Sequence, residues 1–253
     1  MSEPTATSPI FEKHRRAFLM RKLHSLSGVV PVGAFMMFHL WTNAKATQGQ
    51  EPFDHAVRDI SSMPFVMAVE FGAILLPLLF HTFYGFWIAF NGKPNVGRYT
   101  YSRNWMYTAQ RLTGLVAFVF IATHLYDFWW PKMTGAMEPS QFYPQLCAKM
   151  SATKGGVPLM AIWYAVGIGA CVFHFANGLW GFCFSWGITV SRRSQRMAAT
   201  VFGLLGIALF FIGVNTAIYF ATGEDVPGWL RRVATGSASE KQACKDVINL
   251  SQR

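Results

Sequence analysis

At 253 residues, with apolar residues at 52% and charged residues at 13%, the chain departs from the composition of a soluble domain and reads as a membrane protein. Its net charge of +10 clusters at the ends of apolar stretches. It therefore reads as topology and contact with anionic lipid or a docked partner, not as a nucleic-acid surface, and no base-reading motif follows the basic start.

Residues 1–24 form a basic leader carrying Lys13, Arg15, Arg16, Arg21 and Lys22. Ile10, Phe11, Ala17, Phe18 and Leu19 interrupt those bases, a pattern expected of an amphipathic segment lying along the membrane surface. It has no apolar signal-peptide core and no cleavage site, so the first span is expected to stay in the mature chain. Five stretches then lack Asp, Glu, Lys and Arg: 25–44, 71–92, 112–126, 155–191 and 197–223. A crossing helix needs roughly 20 mainly apolar residues, which places spans at about 25–44, 64–92, 105–131, 158–190 and 197–223. The third reaches Pro131 with Asp127 at the interface, beside an aromatic belt of Tyr126, Trp129 and Trp130. Segments 45–63 and 132–157 and the tail 224–253 read as loops punctuated by Gly and Pro.

The expected fold is all-α, a bundle of five transmembrane helices covering 25–223. Twelve Lys and Arg flank one side: five in the leader, then Lys93, Arg98, Arg103 and Arg111, then Arg192, Arg193 and Arg196. The opposite connections hold five: Lys45, Arg58, Lys132, Lys149 and Lys154. The positive-inside rule puts the amino terminus in the cytoplasm and, with five spans, the carboxyl terminus outside. Cys171 and Cys183 fall within the fourth span and read as packing. Cys147 and Cys244 both fall on the outer side and pair only if the fold joins them. No C-x-x-C-H occurs, so covalently attached haem is not expected, and no internal repeat stands out.

The informative residues are four intramembrane histidines. At about 1.5 Å of rise per residue, His39 and His124 lie roughly 9–11 Å below the outer helix ends, and His81 and His174 roughly 24–26 Å. An ionisable ring in hydrocarbon usually marks a function, and imidazole is a common iron ligand. Two matched pairs about 15 Å apart in depth therefore point to two stacked haems, each held by two histidines, with the other ring nitrogens bonded to backbone carbonyls or hydroxyls. H-T-F-Y-G and H-F-A-N-G place Gly85 and Gly178 one turn from His81 and His174, where a missing side chain leaves room for a flat macrocycle. His24, with Arg21, Lys22 and Arg111, stands at the inner boundary, suited either to haem propionates or to anchoring. Glu70, three turns before His81, is a candidate for proton transfer to a quinone, or a helix-start carboxylate facing water. Asp127 poses a similar choice near His124. His14 and His55 read as solvent-exposed.

R-K-L-H-S-L-S-G-V-V-P-V-G (21–33), M-P-F-V-M-A-V-E (63–70), F-H-T-F-Y-G-F-W-I-A-F (80–90), Y-S-R-N-W-M-Y-T-A-Q-R-L-T-G (101–114), F-H-F-A-N-G-L-W (173–180) and W-G-I-T-V-S-R-R-S-Q-R (186–196) carry a resemblance over about residues 15–220. The chain resembles the five-helix dihaem cytochrome b anchor of succinate dehydrogenase and fumarate reductase, in particular the Bacillus-type succinate:menaquinone branch. The resemblance implies two b haems, the proximal on His81 and His174 and the distal on His39 and His124. It also implies a flavoprotein partner with FAD, an iron-sulfur partner, menaquinone as substrate, a place in the inner (cytoplasmic) membrane, and no dicarboxylate site on this chain. Some fumarate reductases of this kind carry a glutamate two residues before the fourth-span histidine. Val172 stands there, so no proton path of that kind is expected and transfer across the membrane should be electrogenic. Working direction, succinate oxidation or fumarate reduction, stays open. The rivals are the cytochrome b subunit of a formate dehydrogenase or hydrogenase, and a transporter using histidines for proton coupling.

Overall fold

The computed structural model describes residues 9–93, 96–98, 101–224 and 226. Residues 1–8 of the leader, nearly all of the tail 224–253, and Cys244 with its possible pairing to Cys147 lie outside them. The helices are α1 (Pro9–Gln48), α2 (Gln50–Ser61), α3 (Val66–Asn91), α4 (Ser102–Met133), α5 (Phe142–Ser151), α6 (Leu159–Ser185) and α7 (Arg192–Thr222). Five of them, α1, α3, α4, α6 and α7, are long and apolar enough to cross a membrane. Among the described residues the only β feature is an isolated bridge between Lys154 and Val157.

Two features differ from the sequence expectation. Among the described residues the helix runs unbroken from Pro9 into the first span, because residues 10–24 contain no proline or glycine to interrupt it. The segments read as loops also hold α2 and α5, short helices whose apolar residues are covered by the ends of the spans.

α1, α3 and α4 each contain one wide π turn: Gly28–Gly33, Val69–Leu75 and Leu125–Trp129. Each has a proline inside it or two residues beyond it, namely Pro31, Pro77 and Pro131. Proline lacks the N–H that would bond the carbonyl four residues back, and a local shift to longer-range bonding absorbs the gap. α6 and α7 contain no proline and have no such turn. Ser191 opens α7 with a capping box shared with Ser194, and Gly223, at φ 72°, closes it in the left-handed conformation that glycine adopts without strain.

α1 packs beside α3, α6 lies between α4 and α7, and α1 also meets α6 and α7. α3 reaches α4 through Phe86 on Phe118, with ring centres 5.0 Å apart, and Phe71 on Trp129, at 5.6 Å. The four helices α1, α3, α4 and α6 thus close a square in that order, and α7 covers the side formed by α1 and α6. Outward faces are apolar: Phe83 and Phe90 of α3 are 67% and 85% exposed, as suits helices whose solvent is hydrocarbon. The tightest burial lies instead at one end, where α2 and α5 cap the bundle and Tyr143, Cys147, Met150 and Tyr219 are enclosed. There the Tyr143 and Tyr219 hydroxyls bond at 2.9 Å, and burial, with that bond, pushes the Tyr143 phenol pKa up.

Candidate functional site

The square brings histidines together across its diagonals. His39 of α1 meets His124 of α4 with ring centres 5.7 Å apart and planes at 76°. His81 of α3 meets His174 of α6 at 6.1 Å and 87°. Two imidazoles in line on one metal at about 2 Å per bond, with about 1 Å more from nitrogen to ring centre, stand roughly 6 Å apart. The ring separation of both pairs is compatible with a metal ion between them.

The remaining ring nitrogens fit the same arrangement. His81 Nδ1 donates to the His24 carbonyl at 2.9 Å, and His174 Nδ1 to the Gln110 carbonyl at 2.9 Å. A carbonyl only accepts, so each ring carries its proton on Nδ1 and presents the Nε2 lone pair. His124 Nδ1 lies 3.2 Å from the Tyr164 hydroxyl. His39 is the exception: its Nε2 lies 3.3 Å from Asn43 Nδ2, whose shorter bond, at 2.8 Å, goes to the His39 carbonyl. Ligation through that nitrogen requires the longer contact to open.

Two comparisons with known proteins identify the family of the chain. A family model described as "Succinate dehydrogenase/Fumarate reductase transmembrane subunit" matches residues 91–214. The chain is 39% identical over 205 residues, 81% of its own length and 98% of the relative's, to the succinate dehydrogenase cytochrome b558 subunit of Bacillus subtilis (strain 168). The chain belongs to the succinate dehydrogenase/fumarate reductase transmembrane subunit family. It is a membrane cytochrome b subunit and a multi-pass protein of the inner (cytoplasmic) membrane.

Within this anchor subunit the glycines act in a way that the sequence signalled only by half. A Cβ on Gly85 would meet the His24 ring at 3.1 Å, and one on Gly178 would meet Gln110 at 3.5 Å. The glycines lying against the His81 and His174 rings are Gly28, whose Cβ would fall 2.3 Å from His81 Cε1, and Gly114, 2.9 Å from His174 Cε1. The arrangement is reciprocal. His24-x-x-x-Gly28 faces His81-x-x-x-Gly85, and Gln110-x-x-x-Gly114 faces His174-x-x-x-Gly178. In each case the missing side chain lets the imidazole reach the carbonyl of the residue four positions before the glycine. The helix pairs α1–α3 and α4–α6 are therefore two versions of one device, an internal repeat visible as H-S-L-S-G-V-V beside Q-R-L-T-G-L-V and F-H-T-F-Y-G-F-W beside F-H-F-A-N-G-L-W.

The other candidates fall at the two ends. His24 stacks on His81 with ring centres 4.1 Å apart and planes at 10°, and its buried Nδ1 has no hydrogen-bond partner among the described residues. Arg111 donates to the Gly92 carbonyl at 3.0 Å and to the Tyr107 hydroxyl, while Arg21 is exposed. Lys22 donates to the Ser185 carbonyl and Trp186 Nε1 to Ser25 at 3.0 Å, which ties α1 to the end of α6. At the capped end Glu70 does not face open water. It pairs with Lys132, the side chains being 16% and 25% exposed, and its buried Oε2 lacks a hydrogen-bond partner among the described residues. Asp127 pairs with Lys149 at 2.5 Å. His14 and His55 are exposed, and His55 pairs with Asp59 at 3.0 Å.

The Lys132 pair yields a stability prediction. Lys132→Met leaves the Glu70 carboxylate desolvated without its cation, at a cost of about 1–3 kcal/mol. The purified complex should show a lower thermal midpoint, and an unchanged midpoint would mean that the pair holds nothing together.

Proposed function

We propose that this subunit binds two b-type haems, one between His81 and His174 and one between His39 and His124, and carries electrons from an iron-sulfur partner to menaquinone as the anchor of a succinate:quinone oxidoreductase. The observation that supports this most directly is the pair of diagonal imidazole contacts at 5.7 and 6.1 Å, three of the four rings having Nδ1 engaged elsewhere. Held by these histidines, haem would supply a one-electron redox couple within the membrane.

The residues of the chain do the rest. His24 and Gln110 offer carbonyls that fix the tautomer and azimuth of the inner imidazoles, and Tyr164 holds His124. The apolar faces of α1, α3, α4 and α6 keep water from both levels. The orphaned His24 Nδ1 suits a propionate acceptor, with Arg21 and Arg111 as cations at the same end. The basic end faces the cytoplasm, where a flavoprotein with FAD and the iron-sulfur subunit dock, and the capped end faces outward. Glu70, held by Lys132, is the residue of this reading that gives or takes a proton at its carboxylate near the quinone. Val172 offers no proton relay, so net charge crosses the membrane with the electrons. The same residues serve succinate oxidation and fumarate reduction.

A reduced-minus-oxidised spectrum with pyridine haemochrome quantification of the purified complex tests the assignment. Two haems per chain are expected. A chain with none would instead use its histidines for proton-coupled transport.

A further inference from the structure

One groove on the bundle has no place in the electron path. It has a volume of about 860 Å³ and lies on the far side of α6 from the histidines, bounded by α4 and α7 and open toward hydrocarbon. Its floor is cleared by small residues, Gly169, Ala176, Gly203 and Gly206 among them, and Phe210 and Phe211 stand in its walls. Along α7 it runs from Ala199 to Phe211, a length of roughly 18 Å at about 1.5 Å per residue.

Its mouth is basic and polar. Arg103 and Ser102 open α4 there, and the Arg103 guanidinium lies flat over the Trp180 ring at 3.5 Å. Trp180 is fixed in turn by its Nε1 bond to the Gln195 carbonyl at 3.1 Å. That bond brings the first turn of α7, with exposed Arg192, Arg193 and Arg196, to the same end. Among the described residues no carboxylate pairs with Arg103.

We propose that this groove is a binding site for one anionic phospholipid of the inner leaflet, with its phosphate on Arg103 and Ser102 and an acyl chain along Gly203 and Gly206. A cationic mouth on an apolar slot matches an amphiphile with an anionic head. Basic pockets between spans on the cytoplasmic side are a known form of lipid recognition. A quinone carries no charge for the arginine, and a transmembrane helix, about 10 Å across, is too broad to enter.

The site is separable from the electron path: none of the four intramembrane histidines lines it, and a Cβ added at Gly203 meets no atom of another element within 4 Å. Gly203→Leu should therefore fill the groove without disturbing the fold. The test reconstitutes the full complex in nanodiscs of mixed phosphatidylglycerol and phosphatidylcholine, extracts it with mild detergent, and counts retained lipids per chain by native mass spectrometry. The wild type should retain one phosphatidylglycerol in preference to phosphatidylcholine. Arg103→Gln should cut that preference about fivefold. Gly203→Leu should abolish retention of either lipid at an unchanged thermal midpoint and haem spectrum. Equal retention of the two lipids by the wild type, undiminished phosphatidylglycerol on Gly203→Leu, or a quinone as the molecule that Gly203→Leu displaces would each overturn the proposal.

Discussion

Replacing His81 with alanine should lower the haem content from two per chain to one and leave the spectrum of the haem between His39 and His124 in place. The two imidazole pairs occupy different diagonals of the square and share no ligand-bearing helix: α3 and α6 carry one pair, α1 and α4 the other. A haem held on both faces loses one of its two protein bonds when a histidine is removed, and an apolar site offers no replacement ligand. His39→Ala should do the reverse and spare the inner haem. Pyridine haemochrome counts with low-temperature optical spectra of both variants provide the measurement. Loss of both haems from a chain that still purifies with its partners, or of neither, would show that the levels are not independent sites.

Gly28→Ala should have nearly as large an effect from a single methyl group. The added Cβ would fall 2.3 Å from His81 Cε1, so the ring must swing away from the His24 carbonyl and lose the azimuth set by that bond. The clashing atom is the end of a side chain, so the helices need not part and thermal stability should change little. The inner haem should be lost, or left with a single protein ligand and a high-spin spectrum. Gly114→Ala, with its contact at 2.9 Å, should show the same defect more mildly. Gly72→Ala, with no neighbour within 4 Å, should show none. A Gly28→Ala protein with a wild-type inner haem would mean that the ring contact is not what orients His81.

The residues legible in the sequence were those whose physics is local. Charge-free stretches betray spans because hydrocarbon penalises each Lys or Asp separately, and His39, His81, His124 and His174 stood out because a buried ring is conspicuous against Leu and Phe. Their depths followed from counting along a helix. The partners of the ring nitrogens were not legible in the same way. His81 reaches the carbonyl of His24, 57 positions away, and a carbonyl has no letter of its own. The sequence marks Gly85 and Gly178 on the helices that carry His81 and His174, whereas the glycines packed against those two rings, Gly28 and Gly114, lie on the opposing helices. The pairs Glu70–Lys132 and Asp127–Lys149 likewise join residues that only the closed square brings together. α2 and α5 were hidden because Pro52 and Pro144, each within the first turn of its helix, read as punctuation when proline there is compatible with helix.

The wide turn at Gly28–Gly33 accounts for an odd count. Gly28 and His39 are separated by one more residue than Gly114 and His124. In an uninterrupted α-helix one surplus residue would swing His39 about 100° around the axis, off the diagonal and into lipid. Housed in a single broadened coil, the extra residue changes only the length of the path, and the imidazole keeps its bearing on His124.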